Sequence, residues 1–199
     1  MIRILGNIPH SVAIAVSGGV DSMAVLDFLR RSPRSILVLH YNHGTRYAPT
    51  AELLVKNYCA KHNLKLVIGK CEEKMPEGVS PEAWWRKKRY SFFEQSTDLP
   101  VITAHHLEDA VDGWVFTSLN GNPFLIPRAR DRYLRPFLTT RKQDLLDWCE
   151  RKNVPVVDDP SNEDIRYKRN YIRNMMMPHI LEVNPGIHKT IKKKLIKRG

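Results

Sequence analysis

Apolar residues recur along this chain with two different periods. Short runs rich in Val, Ile and Leu, at Val12–Val16, Ser35–His40, Lys65–Gly69 and Leu99–Thr103, predict four β-strands. Longer segments with helical spacing lie between them. Val20–Leu29 is apolar on most faces, as a helix pressed onto a sheet must be, whereas Ala51–Lys61 is amphipathic, with Leu54, Val55, Tyr58 and Cys59 on one stripe. A third helix is expected from Pro81 to Gln95, with Ser80 placed to cap it and a proline tolerated in its first turn. A fourth should follow the strand that ends at Thr103. Asn120-Gly121-Asn122-Pro123 then breaks the pattern, and a loop or hairpin is expected to about Arg135-Pro136, with helices resuming at Thr140–Lys152 and Lys168–Leu181. Strand and helix in alternation mark βαβ units. The predicted fold class is therefore α/β: an open, Rossmann-like parallel sheet with helices on both faces.

Composition narrows the picture. With 199 residues, 42% hydrophobic and 27% charged, the chain can bury one substantial core. No apolar run approaches the roughly 20 residues needed to span a bilayer. The start, Met1 to Asn7, lacks the apolar stretch of a secretory signal, so no membrane association and a cytoplasmic location are expected. Cys59, Cys71 and Cys149 form no CxxC pair and are expected to be reduced thiols. Thirty-two Lys and Arg against twenty-one Asp and Glu give a formal charge of +11, which favours a polyanionic partner, nucleic acid above all. Lys189, Lys192, Lys193, Lys194, Lys197 and Arg198 crowd the segment 184–199, which is either a solvated tail or a nucleic-acid-contacting arm.

The strongest local signal is Ser17-Gly18-Gly19-Val20-Asp21-Ser22, set directly after a strand and directly before a helix. Glycines allow a tight turn with exposed amides, serines add hydroxyls, and the helix start adds partial positive charge, so the segment reads as a phosphate cradle. It is neither GxxxxGK[ST] nor GxGxxG. Ligands of an open parallel sheet collect beyond the carboxyl ends of its strands. At those ends stand His40-Tyr41-Asn42-His43-Gly44-Thr45-Arg46 and Ala104-His105-His106-Leu107-Glu108-Asp109-Ala110-Val111-Asp112. The histidine spacing matches no common zinc site. Asp109 and Asp112 lie on one helical face and suit either magnesium or an ammonium group, while Arg86, Arg89 and Tyr90 share a face suited to phosphate contacts. Trp84 and Trp85 are expected to pack rather than to stack on bases.

The loop SGGVDS resembles that of the ATP pyrophosphatases. Together with HYNHGTR, PEAWWRKKRYSFF, AHHLED, DDPSNED and RYKRNYIRN, in this order, it looks like the N-terminal catalytic domain of the tRNA(Ile)-lysidine synthetases, over roughly Val12 to Pro185. The resemblance implies an adenine nucleotide alpha hydrolase-like fold with a helical C-terminal extension. It also implies a minimal form of the family, with a catalytic domain over 1–183, a basic tail over 184–199 and a reduced grip on tRNA. The implied reaction uses ATP and Mg to adenylate the wobble cytidine of a CAU-anticodon tRNA(Ile) at its C2 carbonyl oxygen. Free lysine then displaces AMP to give lysidine. Carried over by position, Ser17, Gly18, Gly19, Val20, Asp21 and Ser22 bind ATP, with Asp21 holding the metal. His43, Arg46, His105 and His106 lie near the α-phosphate or the activated base, and Asp109 joins them in catalysis. Asp109, Asp112, Arg169 and Arg173 receive lysine, and Arg86, Arg89, Lys192, Lys193 and Lys194 bind tRNA. Glu82 belongs to the ExxxRxxR helix, and Asp159-Pro160-Ser161-Asn162, Arg166 and Asn170 to a DxSN loop and the RNxxR helix.

The chain departs from the family's AHHxDDQxET at Glu108, Ala110 and Asp112-Gly113, so the acceptor is less determined than the use of ATP. Two other readings compete. One is a tRNA thiolase, against which the lack of paired cysteines argues; the other is a non-catalytic nucleotide- or tRNA-binding module, against which the clustered ionisable groups argue.

Overall fold

The computed structural model describes residues 1–158 and 164–198. Six strands, β1 (Ser11–Ala15), β2 (Ser35–Asn42), β3 (Lys65–Lys70), β4 (Val101–Ile102), β5 (Ala129–Arg130) and β6 (Tyr133–Leu134), form one sheet in the order β3-β2-β1-β4-β6-β5. All pairings are parallel except β5 with β6. Ala13 sits at the centre, level with Leu37 on one side and Val101 on the other. Because the chain moves outward from β1 to β3 and then returns to the other side of β1 for β4, strand order reverses between β1 and β4, and a crevice opens at their carboxyl ends.

Alternation along β1 divides the core between two faces. Val12 and Ile14 pack with Met23, Leu26 and Leu29 of α1 (Val20–Arg30), with Val55 and Tyr58 of α2 (Ala48–Lys61), and with Leu145 and Cys149 of the helix Lys142–Lys152. Ala13 and Leu39 face the opposite way, onto Phe93 of α3 (Pro81–Ser96). Helices thus cover both faces, as expected. A further cluster joins α4 (Leu107–Leu119) to the C-terminal helices. In chain order after α4 come α5 (Lys142–Lys152), α6 (Lys168–Tyr171), a π-helical turn (Ile172–Met176), α7 (Met177–Val183) and α8 (Ile187–Arg198).

Four details differ from the sequence expectation, each for a local reason. Ser80 occupies the N-cap position of α3 without a side-chain capping bond; Trp84 N–H bonds to its carbonyl at 2.9 Å, and Pro81 presets the first turn. The fourth strand shrinks to two residues, since Pro100 brings no N–H to the ladder. The helix expected over Lys168–Leu181 is interrupted, because Pro178 cannot donate to the carbonyl four residues back, and Met177 N–H reaches Ile172 O in a wider turn. The basic C-terminal segment is a docked helix rather than a frayed tail: Ile187, Ile191 and Leu195 are buried against α4, while Lys193 and Lys194 are exposed.

One buried charge ties three helices together. Asp27 of α1 has no exposed surface and accepts hydrogen bonds from Arg30 Nε (2.8 Å), Arg31 Nε (2.8 Å), Tyr58 Oη of α2 (2.5 Å) and Trp148 Nε1 of α5 (2.9 Å). Burial alone would raise its pKa, but these donors outweigh it and bring the group from 3.8 down to about 2. The carboxylate's contribution to stability is therefore complete above pH 3.8 and drains away as pH falls towards 2. We expect Asp27→Asn to cost about 2 kcal/mol near neutral pH, the size of that shift, with the gap to wild type closing in denaturant titrations near pH 2. Gly113, inside α4, has open space where a Cβ would stand. Gly113→Ala should raise stability by about 1 kcal/mol through helix propensity alone, read as a higher melting temperature.

Candidate active site

The turn from β1 to α1 builds the phosphate cradle. Gly18 sits at φ +95°, and a Cβ there would lie 3.1 Å from that of Ala51, so both backbone conformation and packing demand glycine. Ser17 N–H donates to Ser22 Oγ (3.1 Å), Ser22 Oγ donates to Gly19 O (3.0 Å), and Val157 N–H donates to Gly18 O (2.9 Å). These bonds close the turn around the N-terminus of α1. Asp21 Oδ1 is buried at this point with no hydrogen-bond partner, which fits an oxygen reserved for a cation. Among the described residues no group of three or more His, Cys, Asp or Glu is gathered to hold a metal, so a cation here would complete its shell with nucleotide oxygens and water.

A cleft of about 250 Å³ runs from this turn to the end of β4, past Asp21, Tyr41, His43, His105, Asp109 and Arg169. A second hollow of about 220 Å³ shares Ser17, Tyr41, His43 and Arg89 with it and extends towards Tyr47 and Val157. His43 packs against Tyr41 and Trp85, with ring centroids 5.0 and 6.0 Å away. Burial, reinforced by the charge of Arg89, lowers its pKa to about 4. Arg89 is itself pushed downward by burial. Trp84 is half-buried beneath the ammonium of Lys88, 4.6 Å above its ring, and Trp85 is half-buried beside His43.

Two neighbouring histidines differ in charge, one neutral and one cationic near pH 7. His105 faces the cleft, with Nδ1 2.8 Å from Thr103 Oγ1, and burial together with Arg135, Arg169 and Arg86 lowers its pKa to about 4. His106, in extended backbone at the start of α4, is fully buried underneath. Its Nδ1 donates to Glu108 Oε2 at 3.1 Å, and its Nε2 stands 3.4 Å from Asp109 Oδ2 and 3.6 Å from Asp21 Oδ2. Burial opposes its charge, yet these carboxylates raise its pKa to about 10. Glu108 is the hub of this layer: it also accepts from Arg141 Nε (2.5 Å) and from Lys142 N–H (2.8 Å), fastening α5 to α4.

Asp109 and Asp112 share a helical face, and one cation spans them. Arg173, in the π-helical turn, donates from Nη2 to Asp109 Oδ1 (2.9 Å) and from Nε to Asp112 Oδ2 (2.8 Å). Burial raises both carboxyls; for Asp109 the charges of His106, His105 and Arg173 prevail and its pKa falls, whereas Asp112 stays above its ordinary value. Arg169, one turn earlier, lines the cleft instead.

The other expected residues are spread more widely. Arg46 is exposed, its guanidinium 6.0 Å from the Tyr47 ring, and lines neither hollow. Arg86 is exposed over Tyr90 at 4.6 Å, while Arg89 on the same helix reaches the cleft. Val20 begins α1 and packs on the core. Lys192, Lys193 and Lys194 lie on α8 and line neither hollow. Arg166 pairs with Asp164, and Asn170 Nδ2 donates to the carbonyl of Asp164 at 3.0 Å. Asp159, Pro160, Ser161, Asn162 and the side chain of Glu82 lie outside the described residues. Arg141 and Lys142 belong to none of the recognised motifs, and the only trace of them in the sequence is a pair of cations at a helix start.

Residues 4–180 match the family model described as the PP-loop domain. The tRNA(Ile)-lysidine synthase of Francisella tularensis subsp. holarctica (strain OSU18) is 31% identical over 196 residues, 92% of this chain and 49% of that protein. That of Lactiplantibacillus plantarum is 32% identical over 199 residues, 92% of this chain and 44% of that protein. The chain spans about half the length of the curated relatives it matches. Among solved structures, the NH3-dependent NAD synthetase of Campylobacter jejuni superposes with a TM-score of 0.51 at 14% identity, covering 97% of this chain and 86% of that one, which is a likeness of fold. The parallel sheet, the SGGVDS turn at its switch point and the match over residues 4–180 together make this chain a member of the PP-loop domain family.

Proposed function

We propose that this chain is an ATP-consuming tRNA-modifying ligase that joins lysine to C2 of the wobble cytidine of a CAU-anticodon tRNA(Ile), giving lysidine, AMP and pyrophosphate. The observation that carries this reading is one cleft lined by both the phosphate turn, with the unpartnered Asp21 oxygen, and Asp109, which Arg173 links to the buried Asp112 behind it. Relatives named tRNA(Ile)-lysidine synthase supply the substrate class. A cytoplasmic location belongs to this reading because its substrates are ATP and tRNA; among the described residues no helix is long and apolar enough to cross a membrane.

In this reading the amides and hydroxyls of residues 17–22 hold the ATP phosphates, and Asp21 would hold magnesium, which would supply positive charge to the phosphates. The cytidine C2 oxygen attacks the α-phosphorus, the bond to pyrophosphate breaks, and AMP becomes the leaving group on the base. His43 and His105, neutral near pH 7, offer ring nitrogens to the activated base without adding charge that would compete for phosphate. The amine of lysine then adds at C2 and AMP departs. Asp109 and Asp112 are read as the lysine site, with Arg173 as the cation that the substrate ammonium displaces, and Arg169 orients the acceptor beside them. Arg86, Arg89 and the lysines of α8 are read as contacts to the tRNA backbone. Thiolation is disfavoured because the three cysteines form no CxxC pair, and burial raises the thiols of Cys59 and Cys149 to about 11.

Pyrophosphate release from ATP, measured with a CAU-anticodon tRNA with and without lysine and followed by mass analysis of the wobble nucleoside, tests the reaction. Lysine-dependent turnover with a lysidine mass is the expected result, and Asp21→Ala should slow release by roughly a hundredfold or more. Normal release in that variant would remove Asp21 from the mechanism. For α8, replacing Lys192, Lys193 and Lys194 together by glutamine should lower tRNA affinity and reduce the slope of log affinity against log salt by roughly 2. An unchanged slope would leave those lysines as solvated surface.

A further inference from the structure

The phosphate turn has no cation of its own. Between Ser17 and Ser22 the ionisable side chain is an acid, Asp21, so the turn offers amides and hydroxyls but no positive side chain to a di- or triphosphate. Proteins that bind polyphosphate on such a turn gain much from a lysine aimed at it as a point charge. This chain brings one from a distant segment.

Helix α5 opens with two cations, Arg141 and Lys142, at the end where positive charge opposes the helix macrodipole. Neither gains from its helix, so each needs a partner elsewhere. Arg141 has one in Glu108, 2.5 Å from its Nε. Lys142 gives Glu108 only its backbone N–H, at 2.8 Å, which pins the root of the side chain. Its ammonium extends to the phosphate turn and stops 3.7 Å from Asp21 Oδ2, beyond hydrogen-bond distance. About a third of the Lys142 side chain remains exposed (36%), and among the described residues Asp21 is the one acid it pairs with. This is a charge held beside the turn by a fixed root, not a closed ion pair.

We propose that Lys142 is the polyphosphate-binding cation of the SGGVDS turn, contacting the β- and γ-phosphates of ATP and the pyrophosphate formed from them. The proposal rests on the reading of that turn as the ATP site. With Asp21 engaged on a phosphate-bound cation, Lys142 turns from the carboxylate to the adjacent phosphate oxygens. Glu108 keeps its root in place and spends the competing charge of Arg141.

Isothermal titration of the full chain with ATP, pyrophosphate and AMP, each with and without magnesium, tests the assignment in wild type, Lys142→Met and Lys142→Arg. Lys142→Met should weaken ATP and pyrophosphate by roughly ten- to a hundredfold, the loss expected for one charge-assisted contact, and leave AMP unchanged. Lys142→Arg should retain most of the binding. Pyrophosphate affinity equal to wild type in Lys142→Met would overturn the proposal, as would an equal loss for AMP, which would mean that the lysine acts through the shape of the turn. Wild-type protein that bound neither ATP nor pyrophosphate would remove the ATP reading of the turn and Lys142 with it.

Discussion

A protonated imidazole under the cleft sets the geometry around it. His106 is fully buried, and it holds its charge because Glu108, Asp109 and Asp21 surround both ring nitrogens. Without that charge three carboxylates from two elements would face one another in a medium that screens them poorly. With it, the turn after β1, the first turn of α4 and, through Glu108, the first turn of α5 are drawn to one point. The charges balance: Asp21, Glu108, Asp109 and Asp112 meet His106, Arg141, Lys142 and Arg173. This layer of ion pairs behind the cleft is therefore close to neutral, and an incoming polyanion must draw on the amides of the turn, on Arg89 and Arg169 in the wall, and on any cation of the layer free to turn.

The same layer explains why two adjacent histidines differ. Extended backbone at His106 sends successive side chains to opposite sides. One step along the chain thus separates a neutral ring that faces the cleft from a cationic ring locked below it. The neutral ring offers nitrogens whose protonation is free to follow a reaction; the cationic ring holds the frame. Sheet topology makes this economical, because β1 and β4 are neighbours at the point where strand order reverses, and their trailing loops meet without any long excursion.

Much of this was legible in the sequence, and what was not has identifiable physical causes. The central strands and the first helices are readable because one period dominates each, and the site segments because parallel strands deliver their trailing loops to one edge. The break at Pro178 was hidden, since a wider turn lets a helix absorb a proline that ordinarily ends it. The docking of α8 was hidden by averaging: Ile187, Ile191 and Leu195 recur every four residues, but the lysines between them mask the stripe in any mean hydropathy. Arg46 followed the spacing of its motif and is exposed, lining neither hollow, where the chain after Gly44 leaves β2 to start α2. Lys142 carried no motif at all, and only three-dimensional proximity to Asp21 reveals it.

The acid pair on α4 shows how a small sequence departure is absorbed. Asp112 is one methylene shorter than glutamate, and the next residue, Gly113, brings no side chain to the face, so the carboxylate stays close to the helix and largely buried. Arg173 closes the gap from the π-helical turn and binds both acids through different nitrogens of one rigid fork. A flexible ammonium entering here must exchange for that fork, and a guanidinium held by two carboxylates is the stronger competitor. Under the proposed reaction, selection of the acceptor then depends less on the acids than on what else Arg173 can reach when it is displaced.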